Sequence, residues 1–533
     1  MLMRRGSGPT VPRVPERPFL HHTRTIALLT LVSRIMGLVR DVVFANYFGA
    51  GSVMAAFRVA FVVPNLSRRV FGEGALSAAL VPIVTRTRRS AGDDEARRLA
   101  GAVLAWQTII LAAITLIVEI GLSIAHAWAP SPVLELTRLL LPYMVLICAA
   151  AAAGGILNAC GRFALPALAP VILNVAIIAA TAGGAVLGGL TGMGLMRVVC
   201  VAVLVSGAIQ FGAQWVGLGR AGLLPRWNLG WKERGVDRVV AFMAPMVLGL
   251  SAVQLSTLLD HLMAISLVVD EQGRRVGPAV LAFAQNLYQL PLGVFGIALA
   301  TAVFPKMAAL GAAQDRAALS STMSQGLRLA SFVAVPAAAG LVLVSHPLVQ
   351  ALFERNEFQA HDSVRVSGAL VCYALGLPAY FANHVLVRAF YALGDSRTPV
   401  RIVGGMVAIN VVLGLALVLS PLQERGLALA TAISAWAQTA LLGRRLHRVL
   451  SLPPDGKLAS SLQRTAACAA AMAAAVWIVD RLCTGVEWLA QAPTVRTAMM
   501  ITLGAGVYVA ACRATRHGEF YALLGVSPKP TRG

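Results

Sequence analysis

The chain has 533 residues, of which 58% are hydrophobic and only 13% charged, with a formal net charge of +22. Soluble domains carry about 25% charged residues, and no long polar block interrupts this chain, so its composition excludes a soluble protein and points to a polytopic membrane protein. The basic surplus does not argue for nucleic acid, because most Lys and Arg fall in short connections between apolar runs, where they set membrane orientation, and no zinc-finger, helix-turn-helix or RNA-binding signature occurs.

Residues 1–24 read as a basic, Arg- and Pro-rich tail. The apolar run behind it is long and carries Arg34 and Arg40. A signal peptide has a short apolar core and a small-residue cleavage site, so this run is expected to remain as the first helix. About 20 apolar residues cross a hydrocarbon core of about 30 Å. That ruler yields fourteen candidate helices, near 25–48, 53–80, 101–126, 134–157, 165–187, 195–217, 238–268, 277–303, 322–345, 364–392, 398–420, 426–443, 464–483 and 495–513.

Basic residues test the count. With a cytoplasmic N-terminus, the cytoplasmic connections hold Arg86, Arg88, Arg89, Arg97 and Arg98, then Arg162, then Arg220, Arg226, Lys232, Arg234 and Arg238. Further on they hold Lys306 and Arg316, Arg397 and Arg401, and Arg444, Arg445, Arg448 and Lys457. Opposite turns near 49–52, 127–133 and 188–194 have no Lys or Arg. Fourteen helices with both ends inside fit that alternation.

Prolines fall within the runs at Pro64, Pro142, Pro166, Pro170, Pro245, Pro291, Pro336 and Pro378. Each removes a backbone hydrogen bond and can bend its helix, which suits a cavity-lined transporter. Glycine pairs such as Gly183-Gly184 and Gly404-Gly405 allow close helix packing. The seven cysteines (Cys148, Cys160, Cys200, Cys372, Cys468, Cys483, Cys512) stand singly without metal spacing and read as small apolar side chains.

The informative residues are charges inside the first two apolar runs: Arg34, Arg40 and Asp41, then Arg58, Arg68, Arg69 and Glu73. A charge at the bilayer centre costs about 2.5–3.5 kcal/mol on the lenient insertion scale. Five arginines against two acids leave surplus positive charge, which points to a polar cavity with an anionic guest; arginine binds phosphate oxygens bidentately and stays charged. Residues seven apart lie about 20° from each other on an ideal helix. Arg34 and Asp41 therefore share one stripe, and Arg58, Asn65 and Arg69 another. Structural pairing of Arg40 or Arg34 with Asp41 and of Arg69 with Glu73 is the competing reading, as is snorkelling of Arg68, Arg69 and Glu73 to the interface.

Farther along, Asp260 lies deep in the seventh run, where a lone acid could hold a cation or proton or pair with a neighbour. Gln285, Asn286 and Gln289 interrupt the eighth run before Pro291; Gln285 and Gln289 share a face and could bind a sugar or peptide, or another helix. No HExxH, GxSxG, GxxxxGK[ST] or DxxD motif is present, so no catalytic or metal-ligating residues are assigned and the chain is not expected to be an enzyme.

The stretch Ser33-Arg34-Ile35-Met36-Gly37-Leu38-Val39-Arg40-Asp41 with Phe48-Gly49-Ala50-Gly51 resembles the first-helix signature of the MurJ/MviN lipid II flippases. So does Pro64-Asn65-Leu66-Ser67-Arg68-Arg69-Val70-Phe71-Gly72-Glu73-Gly74-Ala75-Leu76-Ser77. Leu157-Asn158 with Gly161-Arg162-Phe163, Pro166-Ala167-Leu168-Ala169-Pro170, Leu290-Pro291-Leu292-Gly293-Val294-Phe295-Gly296 and Ala392-Leu393-Gly394-Asp395-Ser396-Arg397-Thr398-Pro399 continue the match in family order, over roughly residues 25–450.

The resemblance implies an all-α fold of the MOP exporter superfamily with about fourteen transmembrane helices. Two six-helix lobes, 25–217 and 241–445, surround a central cavity, joined by a cytoplasmic linker at 218–240. A loop at 446–463, a lipid-tail groove at 464–513 and a cytoplasmic tail at 514–533 complete it. It further implies a bacterial inner-membrane protein that flips undecaprenyl-pyrophosphate-linked disaccharide-pentapeptide by alternating access, with Arg34, Arg40 and Arg68 as cavity arginines. No cofactor is expected. Coupling to membrane potential or to a monovalent cation is open, with Asp260, Asn410 and Thr431 as remnants of an ion site. Expected partners are lipid II, membrane lipids and cell-wall synthesis or division proteins.

Three positions depart from the family pattern. Ala55 stands where an acid is common in the second helix, Gln285-Asn286 replaces an Asp-Arg pair, and Gly414 stands where a second ion-site acid would be expected. The alternatives are export of another lipid-linked oligosaccharide, cation-coupled drug export within the superfamily, and a non-transporting envelope scaffold.

Overall fold

The computed structural model describes residues 16–226, 228–230, 236–450 and 456–524. In chain order the long helices span Glu16–Phe48, 52–91, Asp93–Trp128, Pro132–Ala159, Ala164–Val186, Gly192–Arg220, Val236–Leu267, Gly277–Ala312, Arg316–Phe353, the pair Ala360–Leu375 and Leu377–Ala392, Arg397–Val418, Glu424–Leu450, Gly456–Thr484 and Pro493–Ala514, numbered here first to fourteenth. Ten are long and apolar enough to cross a membrane, and the bent pair makes eleven. The first, second and seventh complete the fourteen; the first two carry the arginines that mark them out.

Most helices outrun the spans read from apolarity. The third starts at Asp93, the ninth runs Arg316–Phe353, and the twelfth continues to Leu450, with the thirteenth resuming at Gly456. Apolarity measures only the hydrocarbon-spanning part, and backbone hydrogen bonding carries a helix on into water through turns such as Asp93-Asp94-Glu95. The middle of the third helix shows bare apolar side chains outward, with Ile117 70% and Ile124 57% exposed, as expected of a surface facing lipid.

The two lobes repeat one set of irregularities. In the second helix, Pro64 precedes a π-helical stretch, Arg68–Gly74. In the eighth, which is the second helix of its lobe, Pro291 precedes a π-helical stretch, Leu292–Gly296. A proline has no N–H to give the carbonyl four residues back, and a wider turn nearby is one way a helix absorbs that defect. The fourth helix of each lobe is also broken. Pro132–Leu140 gives way to Tyr143–Ala159 at Leu141-Pro142, and Ala360–Leu375 turns by 40° into Leu377–Ala392 at Gly376, just before Pro378.

A buried aromatic belt draws rings from both lobes into one core. Phe57 lies edge-on to Phe44 with centroids 5.4 Å apart, and Phe283 meets Phe353 at 5.0 Å. Near the ends of the first and ninth helices the lobes touch directly: the Asn356 amide donates to Asn46 Oδ1 at 2.9 Å, and the Glu357 N–H donates to the Asn46 carbonyl at 3.4 Å. Gly49, at φ +59°, lies under the Glu357 carbonyl, where any side chain would collide. The thirteenth and fourteenth helices pack on the ninth through Val344, Met472, Val476 and Met500, and through Phe332, Cys468 and Cys512.

A divided cavity lined by arginines

Two cavities, each of about 750 Å³, lie side by side between the lobes. Arg34, Arg40 and Arg68 line the first, together with Asn158, Asn174, Gln210 and Gln214. Arg69 lines the second with Asp260, Gln285, Gln289, Asn410 and Thr431. Arg58, Phe61, Asn65 and Asn286 border both and form the wall between them. The side chain of Glu73 lies outside the described residues, so its expected pairing with Arg69 is not addressed.

Asp41 is the electrostatic hub of that wall. Arg40 donates to its Oδ1 through Nε at 3.2 Å and Nη2 at 2.9 Å, and Arg58 Nη2 donates to the same oxygen at 3.1 Å. Asn286 Nδ2 donates to Oδ2 at 2.6 Å from the other lobe. The Asp41 side chain is 2% exposed, so its charge is compensated by these three groups rather than by water. Arg34 does not share Asp41 despite lying on its stripe. It reaches across to the eighth helix instead, donating to the Gln289 carbonyl at 3.4 Å beside Gly293, whose missing side chain makes room for the guanidinium.

The remaining arginines are held differently. Arg40 also donates to Asn174 Oδ1 at 3.1 Å, while Asn174 donates to the Ser33 carbonyl at 3.3 Å. Arg58 is sandwiched between the Phe44 and Phe283 rings, 5.6 and 5.4 Å from their centroids, which stabilises a cation by the ring quadrupoles. Arg68 donates to Asn65 Oδ1 at 3.0 Å. Asp41 thus takes two of the cavity arginines, Arg40 and Arg58, as ion-pair partners.

In the second cavity Gln285 donates to the Tyr373 hydroxyl at 2.9 Å and so ties the eighth helix to the tenth. Asn410 Nδ2 lies 3.3 and 3.5 Å from the two Asp260 oxygens, and Asn410 Oδ1 is buried with no partner among the described residues. Thr431 donates to the Leu427 carbonyl of its own helix at 3.1 Å. At Gly414, Leu427 and Met263 close over the space a side chain would need.

Several lining residues escaped the sequence reading. Gln210 and Gln214 are one turn apart on the sixth helix and are 1% and 2% exposed. Asn383, His384 and Arg388 line the second cavity from the tenth helix. Their signal was available, as polar residues at i and i+4 inside apolar runs, but they belong to no motif and, Arg388 apart, carry no fixed charge.

The family model "Lipid II flippase MurJ" matches residues 44–491. The chain is 32% identical to a "Probable lipid II flippase MurJ" of Vibrio cholerae over 91% of this chain and 94% of that one. It is 33% identical to a "Lipid II flippase MurJ" of Burkholderia cenocepacia over 72% of this chain and 76% of that one. Among solved structures, "Lipid II flippase MurJ, inward closed conformation" superposes with a TM-score of 0.73 at 22% identity, covering 94% of this chain and 99% of that one. An inward-facing multidrug MATE transporter of the MOP superfamily superposes with a TM-score of 0.66 at 16% identity, over 80% and 98%.

Proposed function

The chain belongs to the lipid II flippase MurJ family, and we propose that it carries undecaprenyl-pyrophosphate-linked peptidoglycan precursor from the inner to the outer leaflet by alternating access. It is a multi-pass bacterial membrane protein of the MOP exporter fold and a lipid II flippase. The observation that carries the mechanism is one cavity of about 750 Å³ lined by Arg34, Arg40, Arg58 and Arg68. Arg34, Arg40 and Arg68 grip the pyrophosphate, since guanidinium forks match phosphate oxygens and keep their charge at any physiological pH. Arg58, fixed between two rings and Asp41, supplies field rather than a mobile grip. Asn174, Gln210 and Gln214 offer neutral hydrogen bonds to the sugars.

The headgroup is held without covalent chemistry, so the chain needs no catalytic residue. Both termini face the cytoplasm, as the basic connections require. The Asn46–Asn356 contact then closes the outer end, and the cavities are loaded from inside. Rocking of the lobes about the aromatic belt exposes them outward. Moving charge with the field assists, at about 2.3 kcal/mol per charge per 100 mV. A monovalent cation fits beside Asp260 and the buried Asn410 Oδ1, with Thr431 near; with Gly414 closed by its neighbours, the site has one carboxylate. A cation-coupled drug exporter would want free acids at the cavity wall, and Asp41 is already consumed by Arg40 and Arg58.

Replacing a depleted essential lipid II flippase with this protein tests the reading. Growth is expected with the wild type and is lost with Arg34→Ala or Arg40→Ala at equal membrane levels. Failure of the wild type to rescue would sink the flippase assignment; rescue by both variants would sink the arginine grip alone.

A further inference from the structure

Away from the central cavities, four charged side chains meet on the outer surface of the first lobe. Arg138 Nε donates to Glu119 Oε1 at 2.9 Å, and Arg197 Nε donates to Glu135 Oε1 at 2.5 Å. They come from the third, fourth and sixth helices and line a separate depression of about 330 Å³. Side-chain exposures of 34% for Arg138, 31% for Glu119, 56% for Arg197 and 27% for Glu135 leave them open to the surroundings.

Those surroundings are lipid. At 1.5 Å rise per residue, Glu135, Arg197 and Arg138 lie about 5–9 Å from their helix ends, and Glu119 about 14 Å from Trp128. Trp128 is 88% exposed at that end, as an interfacial anchor would be. Below the charges the surface turns apolar, with Ile117 70%, Ile120 53% and Val201 51% exposed. Measured along their helices, Glu135, Arg197 and Arg138 therefore lie near the headgroup and glycerol level and Glu119 deeper, with room for acyl chains along the helices beneath.

The pairing inside the cluster is incomplete in a specific way. Each guanidinium spends only its Nε; among the described residues nothing engages the terminal nitrogens of Arg138 or Arg197. Glu119 Oε2 is buried and has no partner among the described residues. A buried carboxylate oxygen without a partner is costly, and two arginine ends beside it complement a ligand carrying both signs. We propose that this depression binds the headgroup of a zwitterionic phospholipid with a primary ammonium. The phosphate lies against the terminal nitrogens of Arg138 and Arg197, and the ammonium donates to the Glu119 carboxylate, whose side chain is 31% exposed. The inference uses the membrane setting of the chain and is independent of the cargo it moves.

Native mass spectrometry of the full-length protein in detergent, given phosphatidylethanolamine, phosphatidylcholine and phosphatidylglycerol with the same acyl chains, tests it. Phosphatidylethanolamine is expected to be retained about tenfold over both others, the ratio that 1.4 kcal/mol sets, because choline lacks N–H donors and glycerol lacks the cation. Glu119→Gln should abolish the preference over phosphatidylcholine, whereas Arg197→Gln should weaken retention of both. Equal retention of the three lipids by the wild type overturns the proposal without any variant having to fold. An unchanged preference in a folded Glu119→Gln protein overturns it too.

Discussion

Because Asp41 accepts from Arg40, Arg58 and Asn286 in a site closed to water, its removal strands charge rather than merely deleting a contact. Arg58, with a side chain 12% exposed, would lose its carboxylate partner while still clamped between two rings. Breaking a buried pair by deleting one partner costs about 3–5 kcal/mol, so Asp41→Asn should lower thermal stability of the purified protein severely. Asp41→Asn with Arg58→Met should recover part of that loss, and a double-mutant cycle reads the coupling. Additive losses would show that Arg58 is not held by Asp41. The same residues mark where sequence reading stopped. Spacing put Arg34 and Asp41 on one stripe, but the flexible Arg40 beside Asp41 could swing round to it, and Arg34 found a carbonyl across the lobe boundary. Position on a helix constrains where a side chain starts, not which of several partners it reaches.

At the scale of the helix, caps and defects explain placement. Just ahead of the eleventh helix, the Asp395 carboxylate accepts from the backbone N–H groups of Arg397 and Thr398 at 3.0 Å each. Hydrogen bonds from Thr398 hold that carboxyl below its usual range. Asp395→Ala should destabilise the protein by about 1 kcal/mol at neutral pH. A group whose folded pKa is depressed stabilises above its unfolded value, so the gap between wild type and variant should shrink on acidification below about pH 4. Thermal melts at two pH values check this; a gap constant with pH would remove the charge from the explanation. The prolines that break the fourth and tenth helices and precede the π-helical stretches were visible as residues. Their parallel positions in the two lobes were not, because a widened turn has no composition of its own.

Across the whole molecule, fourteen helices were legible because hydrocarbon thickness and the basic connections constrain the count independently. The division of the central space into two cavities was not legible, since it depends on which face each helix turns inward. Closure near Asn46 and Asn356 is likewise a contact between distant segments. Cysteines at both positions, oxidised to a disulfide, should hold that end shut and abolish growth rescue until a reductant is added. Of the seven native cysteines five are buried, which leaves the engineered pair the more reactive. Full rescue with the disulfide formed would mean that this end need not open.

Arg58, Phe61, Asn65 and Asn286 belong to both cavities, and a shared partition has a thermodynamic consequence. An anion on one side and a cation on the other feel each other through the same few side chains. Whatever factor the guest's arrival contributes to cation affinity, the cation must return to guest affinity, because binding linkage is reciprocal. Coupling between cargo and ion then requires no long relay through the lobes: it is a property of one thin wall.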